Sequence, residues 1–229
     1  MKTRVHAAEF YRRMLSAQPH ALKRLDGLAK FMICSRGQEI PNNPGPAGHW
    51  YCVVTGAVRR CAVQPDGRRQ IVDLILPQDF FFVSDSQNEA TIEAIAEETA
   101  LASYPGPRVE LLAEREVEFA RELRDVAFQS LTRSQTQLLI VGRVTAQEKV
   151  GSFLLWLHGR TSDGRGQVVL PVSRYDIADY LAVSVETVCR ALTDLRQRRV
   201  IALAGKRTIK ILNRSALEDR SEGSMSVAA

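Results

Sequence analysis

Between positions 170 and 201, apolar residues recur at helical spacing in two short groups, separated by a turn at 182–184. The apolar positions are Ile177, Ala178, Leu181, Val188, Leu192 and Leu195. Ser173 and Ser184 stand just before the two groups, where a serine hydroxyl accepts hydrogen bonds from N–H groups of the first helical turn. The pattern therefore predicts two short helices that share one apolar seam.

The second predicted helix also has a polar side that the same periodicity turns outward. Residues at i, i+3, i+4 and i+7 are neighbours on a helix, which brings together Glu186, Cys189, Arg190 and Thr193. Helix-turn-helix proteins insert such a face into the DNA major groove, where arginine pairs with guanine and a carboxylate accepts from cytosine N4. The alternative is an ordinary helical bundle in which Glu186 and Arg190 form a surface ion pair.

This stretch resembles the Crp/Fnr superfamily of bacterial transcription regulators, and within it the FixK-type branch, whose pattern is close to LPxSRxDIADYLGLxxETVSRxLxxLxxxGxI. The matching positions are Leu170, Pro171, Ser173, Arg174, Asp176 to Leu181, Glu186 to Val188, Arg190, Leu192, Leu195 and Ile201. Ala182 and Arg199 replace glycines of the pattern, and a non-glycine residue in a left-handed helix end costs about 1 kcal/mol. Cys189 replaces a serine on the reading face.

Residues 31–104 contain short β-branched and aromatic runs separated by turn signals, which predict a small antiparallel barrel or roll. Asp66-Gly67 lies between two of these runs and predicts a two-residue hairpin turn. The segments 51–58 and 66–81 resemble the cyclic-nucleotide-binding-type sensor roll of the same superfamily.

The resemblance also indicates which ligands the roll lacks. In cyclic-nucleotide-responsive members, a Gly-Glu pair and an Arg-Ser pair hold the ligand, whereas the aligned residues here are Phe82-Val83 and, across a gap, Thr91-Ile92. Burying a cyclic phosphate without an opposite charge is costly, so we expect no cyclic-nucleotide binding. No cysteine precedes Cys34, so the N-terminal cysteine cluster of the iron–sulfur members is missing. We predict no cofactor.

Residues 108–145 predict a long helix with one seam at three- and four-residue steps. The seam positions are Leu123, Ala127, Leu131, Ser134, Leu138 and Val141. A single roll cannot cover both faces of so long a helix, and the dimer helix of the superfamily lies at this position. We therefore expect a parallel homodimer, with packing of the seam on the chain's own roll as the alternative.

The predicted fold class is α+β, with an N-terminal antiparallel β-roll, a long dimerisation helix and a C-terminal winged helix-turn-helix. The wing is predicted from the runs 200–203 and 208–212, which flank the basic tip Ala204-Gly205-Lys206-Arg207. The expected boundaries are 1–107 for the N-terminal helices and roll, 108–145 for the dimerisation helix, 146–215 for the DNA-binding domain and 216–229 for a disordered tail.

The net charge of +5 is unevenly distributed, because residues 146–215 hold 12 lysines and arginines against 6 acidic residues. This excess favours a polyanionic partner for the C-terminal domain. The polar N-terminus, and the lack of any apolar run near about 18 residues, predict a cytoplasmic protein with no membrane contact. No set of nucleophile, base and orienting group indicates an enzyme.

The four cysteines are Cys34, Cys52, Cys61 and Cys189. They show no C-x-x-C spacing, which argues against a disulfide framework and against a zinc site. Cys189 lies beside Arg190 and close to a predicted helix N-terminus, and both features favour the thiolate form. Oxidation there would add bulk and negative charge where phosphates must approach, so Cys189 is a candidate redox switch. The alternative is that it replaces serine as a small side chain.

The resemblance implies an activator of low-oxygen respiration or nitrogen-fixation genes that binds a palindrome with TTGAT or TTGAC half-sites. The implied base-reading residues are Val185, Glu186, Cys189 and Arg190. The implied phosphate contacts are Ser173, Arg174, Lys206 and Arg207. RNA polymerase is an implied partner through the loops 84–88 and 158–166. An alternative of another class is a ligand-responsive signalling module whose C-terminal helices bind protein rather than DNA.

Overall fold

The computed structural model describes residues 22–40, 47–84, 90–161, 167–205 and 207–222. It divides into two compact units, Met1–Ser134 and Gln135–Ala229. Several predictions lie outside the described residues: the N-terminal helices before residue 22, most of the 84–88 loop, the end of the 158–166 loop, Lys206, and the tail after residue 222.

Within its described residues, the first unit contains seven strands: β1 Lys30–Ser35, β2 His49–Thr55, β3 Val58–Val63, β4 Arg69–Ile75, β5 Phe80–Val83, β6 Ala90–Ala94 and β7 Glu98–Pro105. They form a four-stranded sheet in the order β1-β7-β2-β5 and a three-stranded sheet in the order β4-β3-β6. Every pairing is antiparallel. The predicted antiparallel roll is confirmed.

Strand β2 is apolar at successive positions because both of its faces are buried. Side chains alternate between the two faces of a strand, and here both faces are covered. Tyr51 and Val53 belong to the apolar cluster that also holds Leu101. Cys52 and Val54 belong to a second cluster, which also holds residues of the helices that follow the roll.

The β3–β4 hairpin is present, but its loop is longer than predicted. The connection runs over residues 64–68, so it has five residues rather than two. Gly67 has a φ of 81° and its N–H donates to the Gln64 carbonyl at 2.9 Å, while the Asp66 carboxylate accepts from the Arg68 N–H at 3.0 Å. A turn closed by a left-handed glycine uses Asp-Gly as readily as the two-residue turn does, so the dipeptide predicted the hairpin but not the loop length.

The single long helix predicted for 108–145 is wrong in detail. A 3-10 helix, Leu22–Leu28, precedes the roll, and two helices follow it: α1 Gly106–Arg115 and α2 Val117–Val141. Glu116 interrupts them with an extended backbone, φ −132° and ψ 102°. The break allows Val109 of α1 and Phe119 of α2 to enter the same apolar cluster, a reason that local sequence does not show.

The second unit contains the end of α2 and the helices α3 Ala146–Thr161, α4 Arg174–Leu181, α5 Val185–Gln197 and α6 Ser215–Glu222. Its strands are β8 Gln167–Val169, β9 Ile201–Leu203 and β10 Thr208–Ile211, in the antiparallel order β8-β10-β9. The predicted helix-turn-helix and wing are confirmed. Strand β8 was not predicted.

Two expectations for this unit are corrected. Residues 158–161 of the predicted 158–166 loop form the last turn of α3. The tail expected to be disordered from residue 216 is helical as far as Glu222. Leu217 is buried there, and a Cβ added to Gly151 of α3 would lie only 3.3 Å from Leu217 Cδ2. The buried Leu217 packs against α3, and the Ala216 N–H donates to Asn213 Oδ1 at 3.0 Å at the start of the helix.

No helix in the described ranges is both long enough and apolar enough to cross a membrane.

Candidate nucleic-acid interface

Helix α4 begins at a capping box, which explains the serine predicted at its N-terminus. The Ser173 Oγ accepts from the Asp176 N–H at 3.2 Å, and the Asp176 Oδ2 accepts from the Ser173 N–H at 2.8 Å and from its hydroxyl at 2.6 Å. The hydroxyl proton is thus already donated to Asp176. Ser173 would reach a DNA phosphate through that proton only by giving up part of the cap.

The turn between α4 and α5 contains a left-handed residue, as the glycine of the family pattern at position 182 implies. Ala182 adopts φ 53° and ψ 50°, a left-handed conformation, and the Val183 N–H donates to the Ala178 carbonyl at 3.1 Å. The Ser184 Oγ then accepts from the Thr187 N–H at 3.2 Å and begins α5. Both predicted serine caps are confirmed. Arg199, φ 57°, is left-handed as well.

Ala182→Gly is expected to raise the free energy of unfolding by about 0.5–1 kcal/mol, because glycine has no Cβ to clash in a left-handed conformation. The matched control is Ala178→Gly in the last turn of α4, which should lower the free energy of unfolding by about 1 kcal/mol, since that backbone is helical. Urea unfolding of both variants measures the difference. A lower midpoint for Ala182→Gly than for the wild type would contradict the strained turn.

Helix α5 separates its two faces as the spacing predicted. Its buried residues are Val188, Ala191, Leu192 and Leu195. The residues exposed on its other face include Glu186, Cys189, Arg190 and Thr193, and Val185 is half-buried at the first turn. The exposed set is the recognition face, and the structure places its four members side by side on one helix.

Glu186 and Arg190, both in the described part of the chain, are not joined by an ion pair within 4.0 Å. The Glu186 carboxylate instead accepts from its own backbone N–H and from the Ser184 hydroxyl, and these contacts, with the nearby Arg190 charge, lower its pKa. Arg190 is exposed and has no hydrogen-bond partner among the described residues. The surface ion pair proposed as the plainer alternative is therefore not formed, and the Arg190 fork is available to a ligand.

Arg174 lies at the start of α4, beside the recognition face. Burial of its half-buried guanidinium lowers the pKa of Arg174, and the nearby Cys189 sulfur acts in the opposite direction. Its Nη1 is buried and has no hydrogen-bond partner among the described residues. A buried donor without an acceptor is costly, and a phosphate oxygen would provide one. The proximity of Arg174 to Cys189 joins two helices and was not predicted.

The wing contributes less than predicted within the described residues. Arg207 is half-buried beside β10, and its carbonyl accepts from the Leu170 N–H at 2.7 Å, which ties the wing to the segment before α4. Sequence reasoning missed two exposed candidates, Tyr175 in the first turn of α4 and Lys210 on β10. Tyr175 offers a hydroxyl next to Arg174 in the sequence, and Lys210 offers an ammonium group close to the basic wing tip; both groups commonly contact phosphates.

The predicted dimer seam is partly covered and partly open. Leu123 packs against the apolar cluster beneath the roll, as the alternative expected, and Val141 is half-buried. Ala127 and Ser134 are exposed, and Leu131 and Leu138 are 53% and 72% exposed. Two further exposed apolar side chains, Phe128 and Leu139, extend this surface. Most of the seam is thus without a partner among the described residues of the single chain.

Comparison with known proteins identifies the family. Residues 148–220 match the Crp-like helix-turn-helix domain, and residues 34–116 match the cyclic nucleotide-binding domain. The nitrogen fixation regulation protein FixK of Rhizobium meliloti (strain 1021) is 42% identical over 168 residues, which cover 73% of this chain and 75% of that protein. The chain belongs to the Crp/Fnr family.

Other Crp/Fnr proteins show the same likeness over most of their length. FixK of Azorhizobium caulinodans is 38% identical over 190 residues, covering 81% of this chain and 76% of that protein. The transcriptional activator protein FnrL of Cereibacter sphaeroides is 31% identical over 186 residues, covering 76% and 75%. The structure of FixK2 from Bradyrhizobium japonicum superposes with a TM-score of 0.75 at 34% identity, covering 88% of this chain and 98% of that one.

Proposed function

We propose that this Crp/Fnr protein is a sequence-specific transcription activator that binds a palindromic DNA site as a homodimer. The observation that carries the proposal is the recognition face of α5, where Arg190 is exposed and has no protein partner in the described chain. The relatives' names add support, since FixK is a nitrogen fixation regulation protein and FnrL a transcriptional activator. Control of nitrogen-fixation or low-oxygen respiration genes is the proposed physiological role.

In the proposed complex, Arg190 donates both arms of its fork to guanine O6 and N7, Glu186 accepts from a cytosine amine, and Val185 contacts a thymine methyl. Cys189 lies between them on the recognition face. Phosphate oxygens accept from Arg174, whose buried Nη1 lacks an acceptor in the described chain. The further proposed phosphate contacts are Ser173, Tyr175, Lys206, Arg207 and Lys210.

Dimerisation through the exposed part of α2 would supply two recognition helices for two half-sites about one helical turn apart. The half-site proposed from the FixK resemblance is TTGAT or TTGAC. The proposed RNA polymerase contacts are the 84–88 loop and the 158–166 segment. The roll is proposed to need no cyclic nucleotide, since Val83 and Ile92, at positions that hold the ligand in responsive members, are buried in its core.

The test is a titration of the full chain against a palindromic TTGAT duplex and against a scrambled duplex, at several salt concentrations. We expect the palindrome to bind at least about 1,000-fold more tightly, and the affinity for both duplexes to fall steeply with salt because phosphate contacts release counterions. Equal affinity for the two duplexes would contradict sequence-specific reading. No binding to either duplex would favour the alternative, a signalling module whose C-terminal helices bind protein.

Oxidation of Cys189 is expected to weaken DNA binding. The thiol is exposed on the recognition face, and a sulfinic or sulfonic acid there would place a negative charge close to DNA phosphates. Peroxide treatment followed by the same titration measures the loss, with Cys189→Ser as the control that should keep its affinity after treatment. Cys34, Cys52 and Cys61 are buried, so peroxide should oxidise them more slowly than Cys189. If the oxidised wild type binds DNA as tightly as before, Cys189 is not a redox switch and only replaces serine as a small side chain.

A further inference from the structure

The side of α2 that faces the roll carries a buried arginine. The Arg133 side chain is 6% exposed. Its Nε and Nη2 donate to the two carboxylate oxygens of Asp73, each at 3.3 Å, and its Nη1 donates to Asp79 Oδ1, also at 3.3 Å. Asp73 lies on β4 and Asp79 lies just before β5. One guanidinium therefore joins the helix to two places in the roll.

The surroundings of Arg133 hold its two partners in place. Asp79 also accepts from the Leu76 N–H at 2.9 Å, across a turn in which Gln78 is left-handed, φ 77°. Arg60 of β3 donates to the Phe82 carbonyl at 3.0 Å and lies close enough to Asp73 and Arg133 to interact with both charges. The cluster thus contains two guanidinium groups and two carboxylates. Buried charges are tolerated only when paired, and this set is balanced by its own members.

One turn further along α2, a second buried polar side chain makes a different contact. Gln137 is buried, and its Nε2 donates to the carbonyl of Tyr180 at 3.3 Å. Tyr180 belongs to the last turn of α4, the first helix of the helix-turn-helix. Helix α2 is unbroken from Val117 to Val141. Arg133 and Gln137 are thus four residues apart on one helix, and each makes its buried contact within its own unit.

We propose that Arg133 is a positioning residue: it fixes α2 against the roll, and DNA binding by the protein depends on that contact. A ligand shifts a conformational equilibrium only through its different affinity for the two states. Here the contacts of Arg133 with Asp73 and Asp79 stabilise one position of α2 against the roll, so no ligand is needed to select that position. The inference rests on the proposed function as a DNA-binding regulator and adds the residue that keeps it competent to bind without a small molecule.

The experiment removes the anchor without leaving a buried charge unpaired. The variant Arg133→Met with Asp79→Asn removes one guanidinium and one carboxylate together and leaves Asp73 beside Arg60, because removing one member of a buried pair would destabilise the fold by itself. Thermal unfolding, sedimentation and titration with the palindromic duplex are measured on the full chain. We expect a folded dimer whose affinity for the palindrome is lower by about tenfold or more, within the usual range for coupling between sites.

The matched control is Arg124→Met with Asp125→Asn, an exposed pair on the same helix at 3.0 Å, and its DNA affinity should not change. Arg133→Lys keeps the charge but lacks the planar fork that spans two carboxylates, so an intermediate affinity and a lower melting temperature are expected, with the protein still folded at the temperature of the titration. If the double variant does not fold, Arg133→Lys decides the question, and a wild-type affinity of Arg133→Lys for the palindrome overturns the proposal.

Two other results would also overturn it. A double variant that binds the palindrome as tightly as the wild type shows that the anchor has no effect on DNA binding. A double variant that is monomeric shows that the anchor acts on assembly instead. Failure of the wild type itself to prefer the palindrome would overturn the proposed function, and would be distinguishable because it does not depend on any variant.

Discussion

Replacing Arg190 by alanine should lower the affinity for the palindrome by about 1–3 kcal/mol per half-site and leave binding to scrambled DNA almost unchanged. Arg190 is exposed and has no hydrogen-bond partner among the described residues. Its truncation therefore removes no contact that holds α5 in the fold, and the loss comes from the guanine edge alone. Competition titration at one fixed salt concentration measures the two affinities.

The matched control for this loss is Arg196→Ala, which removes the same charge from the last turn of the same helix. Arg196 is exposed in the last turn of α5, away from the N-terminal half of the helix that reaches base edges, so any effect should be small and equal on both duplexes. Arg190→Lys retains the charge without the planar fork and should lose most of the preference for the palindrome. If Arg190→Ala weakens both duplexes equally, Arg190 contacts phosphate and does not read a base.

The helix-turn-helix could be predicted closely because its determinants are local. The serine caps, the apolar seam of α5 and the left-handed Ala182 all depend on residues within a few positions of each other. Periodicity alone was sufficient to place Glu186 and Arg190 on the outward face, since Val188 and Leu195 fix which side is buried. The antiparallel roll followed similarly from short apolar runs between turns.

The elements that sequence missed depend on distant contacts. The break at Glu116 has no glycine or proline to predict it, and it fits the entry of Val109 and Phe119 into one cluster. Helix α6 is ordered where Leu217 meets Gly151, 66 positions earlier in the chain. Strand β8 exists because β10 pairs with it. None of these partners can be read from a window of neighbouring residues.

The same limit applies to the site and to the anchor behind it. Sequence assigned Arg174 and Cys189 separate roles, whereas the fold brings the Cys189 sulfur close enough to act on the pKa of Arg174. The partners of Arg133 are 60 and 54 positions away, and a charged residue in a helix is usually taken as solvent-exposed. The apolar seam was visible in the sequence, but the buried charge on the opposite side was not.

Leu138→Glu should convert the protein to a monomer at concentrations where the wild type is dimeric. Leu138 is 72% exposed in the single chain, so the substitution should leave the fold of each monomer intact. Burying a leucine contributes about 1.5–3 kcal/mol to the free energy of association. In a twofold-symmetric dimer the substituted residue occurs twice. The loss of apolar contact alone is then roughly 3–6 kcal/mol, and two carboxylates brought together at the seam add repulsion.

Sedimentation equilibrium measures the dimer, and thermal unfolding checks that the monomer remains folded. The control is Gln129→Glu, which adds the same charge at an exposed position of α2 away from Leu131 and Leu138, and should remain dimeric. Because each copy supplies one recognition helix, monomeric Leu138→Glu should bind a single half-site as weakly as it binds the full palindrome. A variant that remains dimeric would show that the exposed leucines of α2 are not the surface through which two copies pair.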